Sequence, residues 1–432
     1  MHYNVHMDIR VRPSSLIGEV TAPPSKSELH RMLICAALAD RETVIRAASG
    51  GSFELSDDIL ATISCLKALG ACVTVDIGSL TVVPVDKSNV PEHPVLDCRD
   101  SASTLRFLLP VAAALGCDAL FTGSGSLTAR PVTDLIECLS LHGVIFSSEQ
   151  LPFSVSGRMT GGEFRISGNI SSQYLTGLLL SLPLMDNGSG VVLTTELHSS
   201  RYISLTCSTM SLFGVNVIEN GGAYTVASRG LYVSPGKLTA GGDWSGASFF
   251  MLAGLICGGS SVSVSGLDLF SDQADKAVIA LFNSMHGTCA IGEDISTRYS
   301  HLYGSDMDMN ETPDLFPVLA VAASVAEGIS RFTGIERLRA KESDRISSVV
   351  SLISSLGGNA SAEGGDVVIR GVPALRGGIA DTMSDHRIAM AAVIAAAASK
   401  DGAVIRGAEC ISKSWPDFLD CFSALGGIYD VI

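Results

Sequence analysis

Charge is what this chain has least of. Only 17% of its residues are Asp, Glu, Lys or Arg, against about a quarter in an ordinary globular domain. The positive share is smaller still: 29 Lys and Arg face 44 Asp and Glu, a formal net charge of −15. Such a field repels polyanions and excludes a broad nucleic-acid or anionic-membrane surface. With 47% hydrophobic residues, it is also far from a disordered composition. Long apolar runs are missing too. The longest nearly uninterrupted one, Ile388–Ala398, is about half of the roughly 20 residues a membrane span needs, so it is expected to be a buried core helix. Met1–Pro13 mixes histidines, arginines and Asp8 without an apolar stretch, so no signal peptide is expected. The 11 cysteines never fall as CxxC, which excludes a zinc-ribbon pattern and leaves reduced thiols in a cytoplasmic protein as the expectation. Cys35, Cys117 and Cys257 lie in or beside apolar stretches and read as small core residues. There is no GxxxxGK[ST], no GxGxxG after a strand, no HExxH and no GxSxG. Nucleoside triphosphate binding, metal catalysis and a serine nucleophile are therefore not indicated.

What is present is repetition. Six times an apolar helical pattern runs into a glycine: Gly70, Gly143, Gly214, Gly287, Gly357 and Gly426, spaced by roughly 70 residues. The copies are residues 63–83, 135–156, 207–227, 278–300, 349–370 and 417–432. After each of the first five, two Val/Ile-rich stretches follow around a turn such as Asn220-Gly221-Gly222. Glycine past a helix supplies the left-handed residue that turns the chain into a strand. The period is too long for a solenoid, so an α+β protein of six small units is expected. The last copy stops after one strand, while Asp8–Val20 reads as strands with no helix before them. The N-terminus is therefore expected to complete the sixth unit. That makes the first three units an insertion, giving one lobe of residues 24–241 and another of 1–23 plus 242–432. Thr21–Pro24 and Thr239–Asp243 are the expected links.

The scarce cations stand where helices are expected to begin, although the macrodipole there favours acidic residues. Lys26 and Arg31 lie in Pro24–Arg31, and Arg106 follows Asp100-Ser101-Ala102-Ser103. Arg130-Pro131 would start another helix with the proline at its first position. Lys341 and Arg345 precede Ile346–Leu356, Arg387 precedes Ile388–Ala398, and Lys413 precedes the last helix. Six such placements make sense if N–H groups, hydroxyls and cations together bind anions. Two carboxylates stand beside them. Asp314 has the position of an N-cap for Leu315–Ala326, and Glu342 lies between Lys341 and Arg345. A carboxylate among cations is commonly a structural ion pair, and if Asp314 faces the same cleft as these cations the two could also take a proton from a hydroxyl and give or remove one elsewhere.

These residues resemble one family. Pro24–Arg31 (PSKSELHR), Ser101–Arg106 with Ala129-Arg130-Pro131, Ser171-Ser172-Gln173, Asp306–Asp314 (DMDMNETPD), Lys341–Arg345 (KESDR), Asp385-His386-Arg387 and Lys413 are similar, in order and spacing, to the EPSP synthase (3-phosphoshikimate 1-carboxyvinyltransferase) family. The resemblance implies two lobes of three repeated α/β units each, helices inside and mixed sheets outside, around a central cleft. It implies transfer of the enolpyruvyl group of phosphoenolpyruvate to the 5-hydroxyl of shikimate 3-phosphate through a tetrahedral intermediate. It also implies a place in the shikimate pathway of aromatic amino-acid biosynthesis, the two small-molecule substrates as partners, no metal or organic cofactor, and a monomer; the charge and composition above add no nucleic acid and no membrane.

Carried over by motif, Lys26 touches both substrates. Ser27, Arg31, Ser171, Ser172, Gln173 and Ser199 hold shikimate 3-phosphate, with Lys341 and Asp314 at the same substrate. Gln173, Ala102, Arg130, Arg345, Arg387 and Lys413 bind phosphoenolpyruvate. Asp314 is the base for the 5-hydroxyl, and Glu342, helped by Lys341, handles the proton on the methylene carbon. Four departures stand out. Asp100 occupies a place where asparagine is common. Ala102 replaces a glycine, a change that in the family accompanies poor glyphosate binding. The arginine of Ser199-Ser200-Arg201-Tyr202 comes one position late, and Arg337 stands where many members have asparagine. The alternatives are a UDP-N-acetylglucosamine enolpyruvyl transferase, whose cysteine is missing from Gly123–Thr128 (GSGSLT), and a non-catalytic anion-binding protein.

Overall fold

In the computed structural model of the chain, residues 6–48, 54–185, 188–226 and 231–432 are described. Met1–Val5, which open the segment read for a leader, and Ala227, the end of the third repeat copy, lie outside them. The repeat is larger than its signature in the sequence. Its second copy runs strand Val95–Asp97, helix Ala102–Leu115, strand Ala119–Thr122, helix Thr133–Ser140, then strands Ile145–Phe146 and Phe153–Ser156. The strands form one mixed sheet. Val95 pairs in parallel with Leu120, Ala119 antiparallel with Val155, and Ile145 antiparallel with Ser156. The described residues contain six four-stranded sheets of this one order.

The N-terminus closes the sixth unit with only half of the expected segment. Ile9–Arg12 sits between Ala403–Arg406 and Ile428–Val431, antiparallel to both. Ile17–Thr21 instead pairs in parallel with Ser261–Ser265 and supplies the first strand of the fourth unit. Lys237–Ala240 does the same for the first unit against Thr43–Ala47. Thr21, Thr239 and Ala240 are therefore ladder residues, and both links begin later than expected, at Ala22 and Gly241.

The chain divides into two compact units, Pro24–Gly241 and Met1–Pro23 with Gly242–Ile432. In the first, entry and exit are pinned together: Ser25 N donates to Gly241 O at 2.8 Å and Gly241 N to Glu28 Oε2 at 2.9 Å. In the second, Asp243 N reaches Pro23 O at 2.8 Å and Ala22 N reaches Ser265 O at 3.0 Å.

Inside each unit the first helix of every repeat is buried. Helices Trp244–Ile256, Phe316–Ser324 and His386–Ala397 are buried at every residue, each fully buried Leu, Ile or Phe contributing about 1.5–3 kcal/mol. The core helix expected at Ile388–Ala398 is there, beginning two residues earlier and ending one earlier, at His386–Ala397. The second helices bury one face, and the strands alternate, as in Ile9 and Val11 buried with Arg10 and Arg12 exposed. One close approach bears on the site. Pro110, inside helix Ala102–Leu115, has no N–H to offer the carbonyl four residues back, which is that of Arg106. Helix Ser172–Ser181 packs there through Gly177, where a Cβ would come within 2.2 Å of the Arg106 carbonyl oxygen. No helix of the described residues is long and apolar enough to cross a membrane.

Candidate active site

In the unit Pro24–Gly241, Ser25 caps helix Lys26–Ala37, accepting from Glu28 N at 3.4 Å. Lys26 Nζ meets Asp58 Oδ2 at 2.9 Å in a largely buried pair, with Asp58 in the first turn of helix Asp57–Ala68, where the dipole favours a carboxylate. Ser27 lends its carbonyl to Arg31 Nη1 at 2.7 Å; Arg31 Nε reaches Thr206 Oγ1 at 2.8 Å and Nη2 the Tyr202 carbonyl at 3.2 Å. Burial brings the Arg31 guanidinium down to about 10, still a cation at neutral pH. His30, in the same motif, is buried against Phe107 with Nδ1 at 2.8 Å from Thr62 Oγ1. Burial drives it down to about 3, so it is a neutral core residue.

Ser171 caps helix Ser172–Ser181, with Ser172 and Gln173 in its first turn. Gln173 is fixed at both ends of its amide: Oε1 accepts from Arg106 Nη1 at 2.7 Å and Nε2 donates to Ser103 Oγ at 2.9 Å. Arg106 also donates to the Pro131 carbonyl at 2.7 Å, tying Gln173 to the turn that carries Arg130. That turn is not a helix start. A 3-10 turn, Gly125–Ala129, is followed by Arg130 and Pro131 in extended chain, and helix Thr133–Ser140 begins two residues after the proline. Ala102 opens helix Ala102–Leu115 and is buried. Ser199 is buried with φ 57°, a left-handed conformation that strains a serine, immediately before helix Ser200–Leu212. The late arginine, Arg201, is exposed, while the Tyr202 carbonyl is the one that Arg31 holds.

The structure gives Asp100 an account. Its Oδ1 accepts from Ser126 Oγ at 2.8 Å and from Leu127 N at 2.9 Å, so the carboxyl braces the turn before Arg130. Asparagine offers the same acceptor. Asp100→Asn is expected to leave the urea midpoint nearly unchanged, while Asp100→Ala loses about 1–2 kcal/mol by stranding Leu127 N.

The other unit holds a tight ionic cluster. Asp314 is not the cap expected of it. It lies in the 3-10 turn Pro313–Leu315, helix Phe316–Ser324 starts after Leu315, and neither has a side-chain cap. The carboxylate is engaged elsewhere: Arg345 Nη1 at 2.7 Å, Arg387 Nη2 at 3.0 Å and Lys341 Nζ at 3.4 Å. Arg345, 1% exposed, also reaches Glu342 Oε2 through Nη2 at 2.7 Å and Asp385 Oδ2 through Nε at 2.8 Å. Asp344 and Asp385 are the caps of helices Arg345–Ser355 and His386–Ala397. Met383 and Ser384, both at left-handed φ (51° and 55°), bend the chain into Asp385.

Burial pushes the Asp314 carboxyl up, but Arg387, Lys341 and Arg345 outweigh it and hold it well below the usual carboxylate range. Burial lowers Lys341, partly offset by Asp314, and Arg337 adds to the lowering. Arg337 itself donates through Nη2 to the Asn310 carbonyl. Lys413 is buried at the end of the 3-10 turn Ala408–Lys413, rather than at a helix start. Within this unit, then, Asp314, Lys341, Glu342, Arg345 and Arg387 come together. Reading by sequence did not single out Asp58, Arg106 or Asp385 as partners, although two of them lie inside quoted motifs.

The chain matches the sequence profile of the family described as EPSP synthase (3-phosphoshikimate 1-carboxyvinyltransferase) over residues 11–422. It is 37% identical over 437 residues to a 3-phosphoshikimate 1-carboxyvinyltransferase of Clostridium novyi, covering 98% of each chain. It is 34% identical over 426 residues to that of Clostridium acetobutylicum, covering 97% of each. Its fold is similar to that of an EPSP synthase from Acinetobacter baumannii, with a TM-score of 0.81, 24% identity, and coverage of 99% of this chain and 100% of that one. The enolpyruvyl transferase NikO from Streptomyces tendae shares the fold at a TM-score of 0.76 and 16% identity, with 99% of both chains covered. On the full-length match, the chain belongs to the EPSP synthase family of 3-phosphoshikimate 1-carboxyvinyltransferases.

Proposed function

We propose that this chain transfers the enolpyruvyl group of phosphoenolpyruvate to the 5-hydroxyl of shikimate 3-phosphate, releasing phosphate. The observation that ties this reading to residues is the cluster of Lys341, Arg345 and Arg387 against Asp314, Glu342 and Asp385. Three cations and three carboxylates stand in balance. A phosphate and a carboxylate drawn in by Arg345 and Arg387 would add at least two negative charges, which raises the proton affinity of the carboxylates beside them. Glu342, whose Oε2 meets Arg345 Nη2 at 2.7 Å, is the group read as taking a proton.

The steps then balance. Asp314 accepts the 5-hydroxyl proton as the oxygen bonds to C2 of phosphoenolpyruvate, while Glu342, helped by Lys341, gives a proton to the methylene carbon. The tetrahedral adduct then returns a methyl proton to Glu342, the C–H electron pair reforms the double bond, and the C2–O bond of the C2–O–P bridge breaks, so that phosphate leaves with that oxygen and takes up the proton held by Asp314. In this reading Arg345, Arg387 and Lys413 grip the phosphoenolpyruvate anion, where forked guanidinium contacts suit phosphate and carboxylate. Fixed cations stabilise the charge that develops. The unit Pro24–Gly241 contributes Lys26 to both substrates, and Arg130, Gln173 and the Ala102 helix start to phosphoenolpyruvate. It also contributes Ser27, Arg31, Ser171, Ser172, Gln173 and Ser199 to shikimate 3-phosphate. The same reading makes the enzyme a cytoplasmic monomer; its eleven free thiols suit a reducing compartment.

Phosphate release from the purified protein tests this. Release is expected with phosphoenolpyruvate plus shikimate 3-phosphate and none with UDP-N-acetylglucosamine as acceptor. Release with the sugar nucleotide alone would overturn the acceptor, and silence with both would overturn the activity.

A further inference from the structure

Lys413 ends the 3-10 turn Ala408–Lys413, which opens at Gly407, a residue with no side chain to cap it. A turn of this kind has poor internal hydrogen-bond geometry, so the place of Lys413 depends on what holds the turn at its two ends. The far end is seated in the core: Ile411 and Trp415 are buried, and Trp415 N donates to Ile411 O at 3.0 Å. The start is held from two sides. On one side, Met7 and Asp8 carry the antiparallel pairing of Ile9–Arg12 past the end of Ala403–Arg406. Asp8 Oδ1 accepts from Gly407 N at 3.0 Å, Ala408 N donates to Met7 O at 2.7 Å, and Met7 N donates to Glu409 Oε2 at 2.9 Å. On the other side, Thr382 Oγ1 donates to Gly407 O at 2.9 Å. Thr382 stands just before Met383 and Ser384, whose left-handed bend leads into Asp385 and the helix of Arg387.

We propose that Asp8 and Glu409 are positioning residues of the family reaction: by fastening the Met7–Asp8 segment to the start of the Lys413 turn, they set where the Lys413 ammonium stands relative to Arg387. This rests on the proposed roles of Lys413 and Arg387 in binding phosphoenolpyruvate. One anion is gripped by both only if the turn and the helix start keep their spacing, and Gly407 is where the two are joined. A small misplacement of a binding group is costly. Three observations set this fastening apart from ordinary sheet stability. The ladder from Ile9 to Val11 against Ala403 to Ile405 is complete without either carboxylate. Both carboxylates are only half-buried and add little packing, yet each accepts a charge-assisted bond from a backbone N–H beyond the ladder's end. The fastening is also reciprocal, since Asp8 holds the turn while Glu409, on the turn, holds Met7. Gly407 itself leaves the joint no slack. Its φ is 74°, and a Cβ there would come within 2.8 Å of Thr382 Oγ1.

The test is steady-state kinetics of Asp8→Ala, Glu409→Ala and the double variant, with melting curves for each. The unmodified protein and Arg12→Ala run beside them. Arg12 Nη2 pairs with Asp430 Oδ2 at 2.6 Å at the opposite end of the same strand, so its loss loosens the strand without touching the turn. Each single alanine variant is expected to raise KM for phosphoenolpyruvate about threefold and the double variant about tenfold. KM for shikimate 3-phosphate should stay within twofold and kcat within threefold. Asp8→Asn keeps an oxygen for Gly407 N and is expected to hold KM close to that of the unmodified protein, as is Arg12→Ala. An unchanged KM for phosphoenolpyruvate in the folded single variants would overturn the role. So would a rise in both KM values together, or an equal rise in Arg12→Ala. An unmodified protein that is itself inactive would overturn the proposed function, and this role with it.

Discussion

Asp314→Asn is expected to lower kcat for phosphate release by about 10²–10⁴, the range a positioned proton acceptor contributes, without raising KM for phosphoenolpyruvate. The split follows from the cluster. Asparagine keeps the shape but cannot take the 5-hydroxyl proton, and it removes the negative charge that competes for Arg345 and Arg387. An arriving anion then meets cations that are easier to recruit. The same contacts define the pH behaviour. Because Asp314 is held below the usual carboxylate range, it stays ionised throughout the range above about pH 4, and its contribution to folding is lost only as pH falls further, toward its folded value. A carboxylate so stabilised is a weak base until its cations turn to the substrate, which makes phosphoenolpyruvate a requirement for deprotonation rather than a bystander. A variant that keeps more than a tenth of the original kcat would remove Asp314 from the role of base.

How far the sequence carries can be judged from particular elements. Glycines after amphipathic helices located the second half of every unit, because one buried face leaves a 3.6-residue rhythm. The first helices left little such rhythm: Trp244–Ile256 and Phe316–Ser324 are buried all round, and a helix apolar on every side has no periodicity to detect. The parallel strands at the sheet edges escaped because their partners are remote, as with Ile17–Thr21 against Ser261–Ser265. In the site, cations near helix starts were legible as an oddity of composition. Their partners were not. Lys26 finds Asp58 at a separation of 32 residues, Arg106 finds Gln173 at 67, and Arg387 finds Ser245 at 142. Asp314 shows the converse: its position before a helix fits a cap, and cations 27, 31 and 73 residues away claim the carboxylate instead.

Arg345→Met is expected to destabilise its unit by about 3–5 kcal/mol, the cost of breaking a buried ion pair from one side. One guanidinium serves three carboxylates here: Asp314 at 2.7 Å, Glu342 at 2.7 Å and Asp385 at 2.8 Å. Asp314 keeps Arg387 and Lys341 when Arg345 goes. Asp385, fully buried, keeps the amide of Arg387 and the hydroxyl of Ser343 but no guanidinium, so most of the loss falls there. Arg345→Lys restores the charge without the fork, since an ammonium cannot span three carboxylates in one plane, and is expected to recover less than half of the loss. The measurement is well placed, because both tryptophans, Trp244 and Trp415, belong to the unit Met1–Pro23 with Gly242–Ile432 and are buried. Urea unfolding followed by tryptophan fluorescence therefore reports the unit that contains Arg345. Its midpoint should fall in Arg345→Met, with a smaller fall in the lysine variant. An unchanged midpoint would mean that the three carboxylates are paired well enough without Arg345, and that the arginine is held there for the ligand alone.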